Sequence, residues 1–555
     1  MYINAFQIIK KILLMKKILC IILLFPLLYG CNDFLEPQQV NTVYNEVFWE
    51  TQSDAQAGVL GIYALYRGLM VNPQNWYNRA DATTNFIKRG WNGGSSDALY
   101  VPGNFESPTS TVRSWGGLNG YANWGSFYKV VAMANLVIAK VEEMPDGVFV
   151  SGMKDQLLGE AYFLRGLIYF NILRLWGNAP YISESIESST QVIDNDLTPI
   201  QIPRTDDIEI GKKVLEDVNK SVEKLKHQVA FSTGWGIRAN RGSAEALAGH
   251  VNMWMHFLAT RDNISVAGDY LKNAITALES LKNNGGYGLE DYSKSNILEV
   301  LYKEPSIESV FQLNISTATN ESYRIDDPRS TNIQMITIKV TPHDGDVTKD
   351  MSSSVNFVPI SQKNLMYPEY DFTTQSGDLR PHIFFDAWDS HYDYAFSDVS
   401  ANETDRTLVT WMKKYNFVSV DASREWNEWT AYFAEADIPV FRYTDVYLLL
   451  AEAYVKDNQL GKAKVIVDEI RSRAGLTPYS GSDMLKEVLQ QRIAELFGEG
   501  HLYFDMVRNN YFPNAAIMDA GRYNQKGYYW PVSSEVLSAN KLVSQTPYWN
   551  GKTSW

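Results

Sequence analysis

Apolar residues recur at helical spacing along most of this chain. Between Ser53 and Leu69, Val59, Leu60, Ile62, Tyr63 and Tyr66 fall on one face, and Ser53 reads as the N-cap. The same period predicts helices over residues 121–144, 153–176, 206–226, 243–259, 264–282, 439–456, 460–474 and 483–497. Several form close pairs. One pair turns at Arg261-Asp262-Asn263, and another, 439–456 with 460–474, turns at Asp457-Asn458-Gln459. Ala451, Ala453 and Ala463 allow the helices of the second pair to approach closely. The pattern predicts a mainly α fold, with tetratricopeptide-like helical hairpins supporting an irregular loop and short-strand region. A generic helical bundle has the same local statistics.

The segment from Met153 to Trp176 is apolar nearly all round, which predicts a helix buried on most sides. Its charges, Glu160, Arg165 and Arg174, then need partners, and structural ion pairs are expected.

Two regions break the helical period. Residues 70–120 are glycine-rich and hold seven aromatics, Trp76, Tyr77, Phe86, Trp91, Tyr100, Phe105 and Trp115. A loop this long is usually functional or disordered, and its aromatic content argues against disorder. Residues 300–438 alternate instead: Phe311, Leu313 and Ile315 with Gln312 and Asn314, and Ile336, Ile338 and Val340 with Thr337 and Lys339. The tail from Asn510 reads mostly as loop.

The N-terminal pattern gives an address. Lys16 and Lys17 precede an apolar run from Ile18 to Tyr29, too short to span a bilayer and of signal-peptide length. It ends in Leu28-Tyr29-Gly30-Cys31, similar to a lipobox in which the cysteine is acylated and becomes the mature N-terminus. Met15 makes a better start than Met1, so residues 1–14 read as an upstream extension. An ordinary signal peptide cleaved near Gly30 is the plainer alternative. With residues 1–30 removed as a lipoprotein signal, Cys31 is the lone remaining cysteine, so an exported chain has no internal disulfide and relies on packing.

Composition narrows the partners. A net charge of −14 argues against nucleic acid, which requires clustered Lys and Arg, and against adhesion to anionic lipid heads. The chemical scan finds no HExxH, GxSxG, Walker loop or dinucleotide fingerprint. His250 and His256 stand six apart, on different helix faces, and do not make a metal pair. Asp344-Gly345-Asp346 and Asp194-Asn195-Asp196 read as acidic turns rather than calcium loops. A glycosidase carboxylate pair has no signature in chain spacing. No catalytic residue, metal or cofactor is assigned.

Five blocks, in order, carry a resemblance. They are Cys31 to Leu35 with Phe48-Trp49 and the following helix; WGSFYKVVAMAN from Trp124; EAYFLRGLIYFNILRLWGNAPYI from Glu160; IPVFRYTDVYLLLAEAY from Ile438, continuing to Gly475; and RIAELFGEGHLYFDMVR from Arg492, with the late YYWPVSSEVLSANKLVSQTPYW from Tyr528. Together they resemble the SusD/RagB family of outer-membrane glycan-binding lipoproteins. Leu502 departs from the family, which usually carries Arg after the Glu-Gly-His. The resemblance implies an N-terminal helical region over 31–290 bearing the 70–120 loop. A C-terminal region over 300–555 packs with it into one unit. It further implies a lipid-anchored protein on the outer face of the outer membrane, partnered by a SusC-type TonB-dependent transporter, with no enzymatic activity.

Sugars present C–H faces and many hydroxyls, so aromatic rings edged by amides and charges suit them. The candidate glycan contacts are Trp76, Tyr77, Asn78, Arg79, Trp91, Asn92 and Trp115, with Tyr323, Arg324, Trp388 and Tyr392 as weaker ones. For any single aromatic, anchoring a loop to the core is the commoner role. The rival readings are an exported glycoside hydrolase on a helical scaffold, a lipoprotein that binds only other proteins, and a binder of peptide or glycopeptide cargo.

Overall fold

The computed structural model describes residues 48–71, 79–81, 117–186, 201–315, 323–324, 360–361, 377–386, 409–415, 417–426, 429–512 and 518–553. Its frame is a series of packed helices. They are α1 (Gln52–Val71), α2 (Gly125–Glu143), α3 (Met153–Trp176), α4 (Asp207–Lys224), α5 (Arg241–Arg261) and α6 (Ala267–Asn284). Later in the chain come α7 (Tyr443–Lys456), α8 (Leu460–Arg473), α9 (Met484–Leu496) and α10 (Leu502–Asn509). Each helix from α1 to α6 packs on the next in sequence, α6 packs on α7, and α7 packs on α8 and α9. The fold is therefore mainly helical, as the period predicts.

The predicted turns explain the hairpins. Asn263 and Asn458 take left-handed backbone (φ 55° and 57°), which asparagine tolerates better than other side-chain-bearing residues, and so reverse the chain between α5 and α6 and between α7 and α8. Ala451, Ala453 and Ala463 are all fully buried in the α7–α8 contact region. Asn240 caps α5: its side chain accepts from Gly242 and Ser243, and Ser243 reciprocates.

Two local expectations are corrected. Ser53 is not the N-cap of α1. Thr51 occupies that place, exchanging hydrogen bonds with Asp54, whose carboxylate accepts from the Thr51 N–H at 2.7 Å. The helix expected over 439–456 begins only at Tyr443, because Ile438–Arg442 forms a strand, β8, with all five residues buried. Its near-continuous apolar run pairs antiparallel with β1 (Ser309–Leu313), which satisfies backbone groups that sit away from water.

The remaining strands form two small sheets. β2 (Tyr323–Arg324), β7 (Trp429–Ala434) and β6 (Val418–Trp426) make one. β3 (Ile360–Ser361), β5 (Val409–Met412) and β4 (Phe385–Asp386) make the other. The strand expected at 336–340 lies outside the described residues. The tail carries short helices at Ala520–Asn524 and Ser534–Ala539. One apolar cluster runs continuously from Ala55 through α3 and α5 to Trp549.

α3 is buried from Leu157 to Trp176, as its sequence predicts. Glu160 is paired with Arg238 at 2.7 and 2.8 Å, and Arg165 with Asp217 at 2.6 and 2.8 Å. Arg174 is held differently from a simple ion pair. Its guanidinium lies over the Phe170 and Phe504 rings and donates to Asn171.

Among the described residues no helix is long and apolar enough to cross a membrane.

Candidate functional site

The scaffold positions the 70–120 segment by its ends. α1 finishes in buried Leu69, Met70 and Val71. Ala80 and Asp81 are fully buried, and the Asp81 carboxylate accepts from the Gly500 N–H at 2.8 Å and the Leu502 N–H at 3.0 Å. Leu502, where the family resemblance predicts Arg, therefore serves Asp81 through its backbone, while its side chain enters the core. Burial pushes the Asp81 carboxyl up to about 7. At the far end, Asn119 donates to Ser534 and Glu535 at 2.9 Å and accepts from the Ser534 N–H.

Arg79 ties the two ends together. Its Nε donates to the Tyr121 carbonyl at 3.2 Å, and its guanidinium lies over the Tyr121 and Phe127 rings. This corrects one expectation: Arg79 is 1% exposed, so it has no surface to offer a sugar and instead closes the neck of the segment. The stretch between the tied ends carries Trp91, Asn92 and Trp115. Trp76, Tyr77 and Asn78 stand just before the neck. All six of these candidates lie outside the described residues, as do Cys31, Trp388, Tyr392 and both acidic turns. Tyr323 and Arg324 are placed in β2 at the edge of its sheet.

Behind this neck lies a charge network that the sequence does not announce. Arg442, at the end of β8, donates to Glu308 at 2.8 Å and to Glu499 at 3.0 and 3.1 Å. Lys414 donates to Glu499 at 2.7 Å, and Arg473 joins Glu308 to Glu495 at 2.6 and 2.8 Å. Arg380 links Asp378, Gln491 and Glu495. These carboxylates are buried and committed to cations, so they have the geometry of a clamp between the helical and strand-bearing parts. They do not have the geometry of an acid–base pair facing a sugar.

The clamp has a pH signature. Arg442 and Lys414 outweigh the burial penalty and hold the Glu499 carboxyl down to about 2, from an ordinary 4.5; Arg508 does the same for Glu452. A lowered folded-state value means stability that is present above 4.5 and lost as pH falls toward 2. The urea midpoint is therefore expected to fall between pH 5 and pH 3. Glu499→Gln should be weaker at neutral pH yet show a shallower acid slope. An unchanged slope would remove Glu499 from the account.

One described cavity lies beside the clamp, lined by Tyr66, Asn171, Arg174, Phe441, Glu499 and His501, with a volume of about 20 Å³. It has room for a water molecule and none for a sugar.

The sequence matches the SusD family over residues 273–549, and over 103–251 it matches a family described as starch-binding, associating with outer membrane. It is 24% identical to a SusD-like protein of Formosa agariphila over 94% of this chain and 96% of the relative. The fold is similar to a crystal structure of a SusD homolog from Bacteroides thetaiotaomicron, with a TM-score of 0.69, 23% identity, and coverage of 90% of this chain and 99% of that one. It is also similar to a structure described as a laminarin-binding SusD-like protein, with a TM-score of 0.62, 20% identity, and coverage of 90% and 99%. The helical frame, the ordered sequence blocks and these matches agree: the chain belongs to the SusD/RagB family.

Proposed function

We propose that this chain is a cell-surface lipoprotein of the outer membrane that binds oligosaccharide or polysaccharide fragments and delivers them to a SusC-type TonB-dependent transporter, without covalent chemistry of its own. The observation that carries this reading is the neck. Buried Arg79 and Asp81 on one side, and Tyr121 and Asn119 on the other, fix the ends of an aromatic-rich segment on a rigid helical frame. Binding residues are commonly carried on connecting segments whose ends a rigid scaffold holds. Family membership and the laminarin-binding relative support a carbohydrate as the cargo.

The proposed contacts are Trp76, Tyr77, Asn78, Trp91, Asn92 and Trp115. Trp76→Ala and Trp91→Ala are each expected to weaken glycan retention about tenfold, corresponding to about 1.4 kcal/mol. Affinity electrophoresis reads this directly, and unchanged retention in both variants would place the site elsewhere.

The lipid on Cys31 would act as a tether that raises the local concentration of binder at its channel. Cys31→Ala should therefore leave glycan binding in solution intact and impair uptake by cells. Loss of binding itself would make Cys31 more than an anchor.

A further inference from the structure

Three chemistry-bearing side chains from distant parts of the chain converge in the core. His250 stands on α5, Asp445 on α7, and His501 in the turn before α10. The Nε2 of His250 is 2.8 Å from Oδ2 of Asp445, and the Nε2 of His501 is 3.9 Å from the same oxygen. All three donor atoms lie within 4.8 Å of one another, and all three residues are buried. The imidazoles stack, with centroids 5.7 Å apart.

This arrangement leaves one group unsatisfied. His250 takes the hydrogen bond to Oδ2, and the buried Nε2 of His501 has no hydrogen-bond partner among the described residues. His501 is more than nine-tenths buried and lines the cavity of about 20 Å³. A buried polar atom without a partner is costly and calls for an explanation. The opposite edge of the carboxylate is fixed from behind. Arg492 donates to Oδ1 at 2.8 Å and to the Asp445 carbonyl at 2.9 Å, which leaves Oδ2 turned toward the two imidazoles. Outer hydrogen bonds of this kind orient metal ligands in known sites.

We propose that His250, Asp445 and His501 form a binding site for a divalent transition-metal ion of the zinc class, with a water as the fourth ligand. Two imidazoles and a carboxylate are a borderline nitrogen–oxygen set, suited to zinc and not to calcium. Tetrahedral zinc with ligands at about 2.0–2.1 Å places donor atoms roughly 3.4 Å apart. The separations of 2.8 and 3.9 Å lie on either side of that value, so movements of about half an ångström bring each imidazole to it against Asp445. Two buried cations stand nearby: Arg492, balanced by Asp505 at 2.7 Å, and Arg174, which lines the cavity with its guanidinium over the Phe170 and Phe504 rings. The ion would clamp α5, α7 and the turn before α10, on the same seam that the arginine–carboxylate network closes.

The test uses the mature chain, stripped with chelator during unfolding and refolded with or without Co²⁺ or Zn²⁺. Close to one equivalent of metal is expected by elemental analysis, with a higher thermal midpoint in the loaded protein. The cobalt form should show the strong visible ligand-field absorption of a tetrahedral site. His501→Gln should lower metal affinity tenfold or more, while His256→Gln leaves it unchanged. If a variant fails to fold, the cobalt spectrum of the unmodified chain decides alone. Substoichiometric metal, an octahedral aquo-like spectrum, or equal binding by folded His501→Gln would overturn the proposal and leave the cavity a water site.

Discussion

Replacing Arg442 with alanine is expected to lower the stability of the folded chain by about 3–5 kcal/mol, the usual cost of removing one partner from a buried ion network. Arg442 is 2% exposed and its guanidinium reaches Glu308, Glu499 and the Glu495 carbonyl. Deleting it leaves two buried carboxylates short of a cation. Lys414 and Arg473 still serve one of them each, which keeps the loss finite. Arg442→Lys should recover only part of it, because a single ammonium cannot reproduce the fork that spans both glutamates. Urea unfolding checks both variants. A loss under about 1 kcal/mol for the alanine variant would mean that the network does not clamp the fold.

The second large effect is expected at Trp176, where alanine should cost about 3–5 kcal/mol through the cavity it opens. Trp176 is fully buried at the end of α3, edge-on to Trp124 and Phe127 with centroids 5.8 and 5.1 Å away. Its indole N–H donates to the Pro531 carbonyl at 3.0 Å, and the Trp530 N–H donates to the Leu175 carbonyl at 2.7 Å. Gly177 completes the dock: its backbone is left-handed (φ 63°), and a Cβ there would meet the Tyr529 ring at 2.5 Å. The C-terminal tail is thus fastened to the end of α3. In Trp176→Ala, amides from Tyr529 to Trp549 should exchange with solvent faster than those of α5. Uniform protection across both would show that the tail does not depend on this contact.

Much of the frame was legible because periodicity reports which face of a segment is buried. It placed the α5–α6 and α7–α8 hairpins and the enclosed α3 within a few residues. It reads residues 439–442 as a helix start, since a short apolar run looks alike as buried strand or helix start, and only pairing with β1 separates the two. Partners far apart in sequence were not legible. Nothing in the spacing of Glu308, Arg442 and Glu499, or of His250 and His501, signals that they meet. Arg79 reads as a ligand contact in sequence for the same reason. Its amide- and aromatic-rich neighbours suggest a ligand surface, whereas its burial depends on Tyr121 and Phe127, more than forty residues on. The ordered blocks identify the family through its scaffold helices, and a scaffold does not by itself specify cargo.

On the proposed reading, this chain binds carbohydrate and leaves it intact. The most direct test is affinity electrophoresis of the purified mature chain through gels containing laminarin, starch, xylan and other glycans, with reducing ends assayed after incubation with each. Retardation by at least one glycan with no new reducing ends is the predicted result. Free migration through every glycan, or new reducing ends abolished by replacing a single carboxylate, would contradict the account.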